Sequence, residues 1–188
     1  MFCSLAGYAF ARMRFFGRDV LFVALLATLM VPFQVTMIPT FLIVQKMGLV
    51  NSLPALIVPN LVTPFGIFLL RQFFRTLPIE LEEAARMDGC SRLGVLVRVV
   101  LPLSMPALAT LTIVTFLWTW NDFLWPLIVI TSTNQSTVQL GLAQFQGAHQ
   151  TNWTLLMAGN VMALAPMLLV FIIGQRWFVQ SLASTGLK

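Results

Sequence analysis

The sequence predicts an all-α, polytopic membrane helical bundle, and three observations predict it. Apolar residues make up 59% of the 188 positions and charged residues only 9%, too little charge to cover the surface of a soluble domain of this size. Four apolar runs reach the length of about 20 residues that a bilayer crossing needs. The basic residues gather in short segments between those runs, with no basic groove and no interleaving of aromatic and basic residues. The net charge of +5 is therefore read as a topology signal and not as a nucleic-acid surface.

The first run, Met1–Ala11, is apolar but too short to span. It has neither the basic start nor the cleavage pattern of a secretory signal. Followed at once by Arg12, Arg14 and Arg18, it reads as the inner end of a helix whose outer part is missing. The expectation is an N-terminally incomplete chain with a helix stub.

The spans follow at Val20–Val44, Leu53–Phe74, Leu103–Ile130 and Trp153–Val179. Each contains proline or glycine, which membrane helices tolerate because neighbouring groups re-satisfy the freed backbone. Placing Arg12, Arg14 and Arg18 in the cytoplasm fixes the remaining loops by alternation. Arg71, Arg75, Arg86, Arg92, Arg98, Arg176 and Lys188 then also lie inside, and of eleven basic residues only Lys46 lies outside. That asymmetry obeys the positive-inside rule and gives a cytoplasmic C-terminus.

Between the second and third spans lies a charged segment, 76–102. Glu80, Glu82, Glu83 and Asp88 supply four of the six acidic residues of the chain. Pro78 suits a first helical turn, and the acidic residues after it meet the positive end of the helix dipole. Glu82 and Arg86 are spaced for an i,i+4 pair. Gly89 can take positive φ and end the helix. Ser91 can cap a second helix, which Pro102 would break before the next span. Ala84 and Ala85 would leave a bare patch for close approach of another protein. An amphipathic loop on the lipid surface is the other reading, but such helices carry basic residues and large apolar anchors.

The third span carries Thr112, Thr115, Thr119 and Asp122 at spacings that share one helix face. A carboxyl within a span is costly and faces a bundle interior or water. Asn121 and Asp122 lie about 26 Å along the helix from Ser104, in the outer half of the membrane. Gln34, Asn60 and Asn160 fall at comparable depth, flanked by Trp118, Trp120 and Trp125. Together they are candidates for a polar, aromatic path suited to sugar rings and hydroxyls. The threonines and asparagines would serve equally as interhelical glue, and the tryptophans as an interface belt. His149, alone in the outer loop, reads as a solvated residue.

Cys3 and Cys90 have neither metal-ligand nor disulfide spacing, so no metal and no cofactor is expected. No GxxxxGK[ST] loop is present, so any ATP hydrolysis falls to another chain. The segment AARMDG only superficially suggests a membrane phosphotransferase, with the order reversed. No HExxH, GxSxG or Cys/His pair supports a hydrolase, so an intramembrane enzyme is the weakest of the alternatives.

The spacing Glu83-Ala84-Ala85, three residues, Gly89, nine residues, Val99, one residue, Leu101-Pro102 resembles the cytoplasmic loop of permease subunits in binding-protein-dependent ABC importers. Val99 stands where isoleucine is usual. GYAFARMRFFGR (7–18), FLLRQFFRTLP (68–78), WNDFLWPL (120–127) and QRWFVQSLASTGLK (175–188) resemble the sugar-import branch, so the likeness runs over essentially the whole chain, 1–188. It implies a six-helix permease domain in the cell inner membrane, with lipid around it. The expected partners are a cytoplasmic ATPase dimer, a second homologous permease subunit and an extracytoplasmic substrate-binding protein. The resemblance implies that Glu83 meets a basic or polar group of the ATPase, that Gly89 shapes the turn, and that Asp88 and Leu101-Pro102 belong to the same coupling loop. With four complete spans and a stub, a non-functional permease remnant is the other reading of the same resemblance.

Overall fold

The structure is a computed structural model that describes residues 1–146 and 151–185, with side-chain surroundings up to 175. His149 and Lys188 lie outside the described residues. The described chain is helical throughout, with a single isolated β-bridge between Gln146 and Thr151, and it divides into two compact units.

The first unit comprises Met1–Pro32, Leu61–Thr112 and the end of the last helix. Its helices are α1 (Phe2–Arg12), α2 (Arg18–Ala27), α5 (Pro64–Thr76), α6 (Ile79–Met87), α7 (Arg92–Val95), α8 (Leu101–Leu103) and the start of α9 (Met105–Asn121). α1 packs against α5 through small residues. Ser4 and Gly7 are buried, and a Cβ on Gly7 would lie 3.2 Å from Leu70 Cβ and 3.3 Å from the Arg71 backbone nitrogen. A Cβ on Gly66 would come within 3.0 Å of Cys3 Sγ. Close backbone approach through such residues is how helices associate where lipid removes the hydrophobic drive. Thr63 caps α5, its hydroxyl accepting from Gly66 N–H at 3.2 Å, with Pro64 in the first turn. Tyr8, Leu70, Phe74, Val95, Leu96, Val100 and Ala107 form the core, and the Tyr8 ring stands edge-on to Phe74. Arg71, also buried, lies 3.7 Å over the Phe22 ring, and its Nε donates to the Phe10 carbonyl. At the exposed start of α2, the hydrogen bond from Arg18 holds the Asp19 carboxyl below the usual carboxylate range.

The second unit comprises Phe33–Asn60 and Ile113–Gln175. It contains α3 (Phe33–Lys46), α4 (Leu53–Ile57), the rest of α9, α10 (Leu124–Val129), α11 (Val138–Ala143) and most of α12 (Trp153–Thr185). Val44, Ala55, Trp125, Val129, Ile130 and Leu140 make its core. Asn51 takes a left-handed φ of 59° and accepts from the Thr131 and Ser132 N–H groups, pinning the chain that leaves α10. Asparagine is among the few residues that reach this region readily.

One helix segment, Trp153–Gln175, is long and apolar enough to cross a membrane as it stands, and only 11% of its most apolar window is buried. The other three expected spans are interrupted. Val20–Val44 breaks between α2 and α3 around Pro32, and Leu53–Phe74 breaks between Asn60 and Pro64. Leu103–Ile130 parts at Asp122–Phe123, after α9. α9 is itself set at 79° to the helical stretch Arg92–Leu103 before it. The count of four holds only if each bent pair is one span. Hydropathy registers apolar length, but proline removes a hydrogen-bond donor and clashes with the carbonyl four residues back. Pro39 and Pro166 are nevertheless carried inside helices.

Candidate functional site

The charged segment folds as helix, glycine turn, helix. α6 begins directly after Pro78, with Glu80 and Glu82 in its first turn. At its end Gly89 has φ +82°, its N–H donates to the Arg86 carbonyl at 2.9 Å, and Cys90 N–H donates to Ala85 at 3.0 Å. These two bonds are the Schellman pattern that satisfies the last carbonyls of a helix. Ser91 Oγ then accepts from Gly94 N–H at 3.2 Å and starts α7.

Beyond α7 the helix does not stop at Pro102, as the sequence suggests. Leu96–Val100 widens into a π turn in which Leu101 N–H donates to Leu96, five residues back. The wider turn relieves the conflict between the Pro102 ring and the carbonyl of Arg98. The helix runs on to Leu103, and the break falls at Ser104, whose ψ is 13°.

Glu83, Ala84, Asp88 and Gly89 are exposed on this segment, as is Pro102; Leu101 is half-buried against the core of the first unit. The expected bare alanine patch is narrower than read from sequence. Ala84 is exposed, but Ala85 packs on that same core, because it lies on the α6 face that also turns Glu82 inward.

Sequence reasoning missed the role of Glu82. It is only 1% exposed. Tyr8 Oη donates to its Oε2 at 3.0 Å, and Arg12 Nε meets its Oε1 at 2.6 Å as a charge contact and not as an aligned hydrogen bond. Arg86 reaches it at 3.7 Å, so the expected i,i+4 pair exists but is the outermost of the three contacts. Arg12 also donates to the Leu77 carbonyl, at the end of α5. The available signal was the pair Tyr8 and Arg12, one helical turn apart on α1.

Of the polar candidates, the structure brings two together. Asn60 and Asp122 line a pocket of about 160 Å³ in the second unit, with Phe33, Pro59 and Trp125. Asp122 lies just past the end of α9, and its Oδ1 accepts from Trp125 N–H at 3.4 Å. Asn60 Nδ2 turns back to the Leu56 carbonyl. Trp125 is buried, with Nε1 donating to the Ala55 carbonyl at 3.0 Å, and Phe33 stands edge-on to it.

The other candidates are not among the residues lining this pocket. Gln34 is exposed beside Phe33. Thr115 and Thr119 share an exposed face of α9 with Thr112, whose hydroxyl donates to its own helix at Leu108. Asn121 Nδ2 bonds to the Leu117 carbonyl and approaches Met167 Sδ at 3.7 Å. Asn160 is exposed on α12. The Trp120 indole bonds to the Ala163 carbonyl, a packing role within the second unit. Among the described residues, no group of three or more His, Cys, Asp or Glu side chains could hold a metal ion.

A helical chain with broken apolar spans and a charged helix–glycine–helix between them is the architecture of a membrane transport component. The chain belongs to the family of binding-protein-dependent transport system inner membrane components, whose model matches residues 4–184. It is thus a permease component and not an enzyme. It is 41% identical, over all 188 residues, to the arabinooligosaccharides transport system permease protein AraQ of Halalkalibacterium halodurans, covering 67% of that protein. To the sn-glycerol-3-phosphate transport system permease protein UgpE of Pectobacterium atrosepticum it is 38% identical over 183 residues, covering 96% of this chain and 65% of that one. The crystal structure of a bacterial ABC transporter involved in the import of the acidic polysaccharide alginate contains a chain of the same fold. The TM-score is 0.74 at 26% identity, with 95% of this chain and 70% of that one covered. The chain spans about two thirds of the length of the curated relatives it matches.

Proposed function

We propose that this chain is the permease subunit of an ATP-binding-cassette importer for a neutral, sugar-class substrate, and that its segment 76–102 receives the energy of ATP hydrolysed on separate subunits. The observation that carries this reading is the exposed acidic face of α6 closed by the Gly89 turn, a water-facing docking shape on an otherwise apolar chain. In this reading Glu83, Ala84, Asp88 and Gly89 meet a cytoplasmic ATPase dimer, and Leu101-Pro102 carry the movement toward α9. A second homologous permease completes the pathway, an extracytoplasmic binding protein delivers substrate, and the C-terminus lies in the cytoplasm of a multi-pass inner-membrane protein.

The pocket of Phe33, Asn60, Asp122 and Trp125 is the candidate stretch of the translocation path. Aromatic walls with an amide and a carboxyl suit sugar ring faces and hydroxyls. Among the described residues no cation lines it, which disfavours an anion such as glycerol 3-phosphate.

The test is uptake by the whole transporter in proteoliposomes, assembled with its ATPase, second permease and binding protein. Arabinooligosaccharide is expected to enter in an ATP-dependent manner, and glycerol 3-phosphate at least tenfold more slowly. A fully assembled transporter that moves glycerol 3-phosphate in preference would overturn the substrate class, and one that binds no ATPase would overturn the docking reading. Asp122→Leu is expected to lower uptake at least tenfold with assembly intact; normal uptake would remove Asp122 from the path.

A further inference from the structure

Glu82 is a buried charge that the docking surface does not use. Its neighbours Glu80, Glu83, Arg86 and Met87 are exposed on the same short helix, while its own side chain is shut between α6, α1 and the end of α5. Burying a carboxylate carries a desolvation penalty that its partners must offset. Well-packed apolar residues of similar volume often replace a whole buried ion pair at no loss of stability, whereas removing one partner leaves the other charge buried and unpaired. What the ionic arrangement supplies beyond packing is direction. Tyr8 Oη at 3.0 Å and Arg12 Nε at 2.6 Å approach from successive turns of α1, and Arg12 at the same time holds the Leu77 carbonyl. One guanidinium therefore grips both sides of the Leu77–Pro78 corner: the last residue before it, through the backbone, and α6 after it, through Glu82.

α1 is in turn seated tightly on α5 at Gly7 and Gly66. A shift of α6 cannot be absorbed at the corner without breaking the Arg12 contacts. Without them, the corner is a single extended residue pair, Leu77 at ψ 139° and Pro78 at ψ 131°, able to hinge.

We propose that Glu82 is a positioning residue that fastens the docking helix to α1, so that displacement of α6 by the ATPase is passed to the α1–α5 pair and not lost at the Leu77–Pro78 corner. This rests on the reading of 76–102 as the docking segment. The test uses the whole transporter in proteoliposomes and reads arabinooligosaccharide taken up per ATP hydrolysed, alongside retention of the ATPase on purification. Glu82→Met and Arg12→Met each keep the volume of the site and remove one half of the ion pair. Each is expected to keep the ATPase bound while uptake per ATP falls at least tenfold. The double variant is expected to be no worse than either single one, because the pair acts as one unit.

An unchanged uptake-to-ATP ratio in the single variants would overturn the proposal, as would losses that simply multiply in the double variant. If Glu82→Met fails to retain the ATPase, Tyr8→Phe, which deletes one hydroxyl, is read by the same ratio. A fall of threefold or more supports the fastening, and no fall overturns it. Failure of the unsubstituted transporter to bind an ATPase would instead sink the docking reading, so the two failures are distinct.

Discussion

Replacing Gly7 by valine should loosen the seat of α1 on α5, and the size of the effect follows from the packing. A Cβ at Gly7 already meets Leu70 Cβ at 3.2 Å, the Arg71 nitrogen at 3.3 Å and the Ile67 carbonyl at 3.4 Å. Two of those neighbours are backbone and cannot rotate away. Overpacking of this kind costs about 1–3 kcal/mol, and the better helix propensity of valine over glycine returns about 0.3–0.5 kcal/mol. The net loss is about 0.5–2.7 kcal/mol, or roughly a 2- to 80-fold rise in the open population at about 1.4 kcal/mol per decade. For Gly7→Ala the gain in propensity, about 1 kcal/mol, nearly offsets the milder contact, and little change is expected. The reporter is Ser4→Cys in a Cys3→Ser, Cys90→Ser background. Ser4 is 2% exposed on the same face of α1, so a thiol there reacts with a bulky maleimide only when α1 lifts. Labelling in lipid nanodiscs should accelerate by the factor above for Gly7→Val and by less than about twofold for Gly7→Ala. Equal labelling rates for Gly7→Val and the parent would refute the close-packed seat.

Two further substitutions test local geometry. At Gly89 no atom lies within 4 Å of a built Cβ, so the cost of Gly89→Ala comes from the left-handed φ of +82° alone. It should be about 1–2 kcal/mol, lowering the thermal unfolding midpoint, with Gly89→Asn losing less; equal midpoints for Ala and Gly would contradict the turn. Trp125→Phe removes the donor to the Ala55 carbonyl and leaves that buried acceptor unpaired. The expected destabilisation is about 1–3 kcal/mol, read by the same thermal measurement, and an unshifted midpoint would show that this hydrogen bond contributes nothing.

What could be read from sequence was what is decided within a few residues. The Gly89 end of α6 and the Ser91 cap of α7 depend on backbone groups three to five positions away, and both stand as expected. The extent of the helix past Pro102 was misjudged because proline was taken as a terminator, whereas the π turn ahead of it removes the clash. Glu82 was read as half of an i,i+4 pair with Arg86. Its burial is set by Tyr8, 74 positions earlier, and no local pattern encodes that. The polar path fared in between. Period and depth selected seven candidates, but only Asn60 and Asp122 converge on one pocket, since sharing a depth does not make side chains share a direction.

The π turn at Leu96–Val100 has a consequence for how this stretch tolerates changes in length. Val95 and Leu96 are buried, and the next buried residue is Val100, while Val99, where a regular α-helix would return inward, is only half-buried. The wide turn thus carries one residue more than the α-helical count and rotates everything after it by about 100°. Deleting one residue there would remove that surplus and leave a regular helix with Leu101 still on the core, whereas regularising the turn at full length would swing Leu101 off the core and Pro102 toward it. Either change would be nearly invisible to composition, hydropathy and helix content, yet only the second would mis-time the helix.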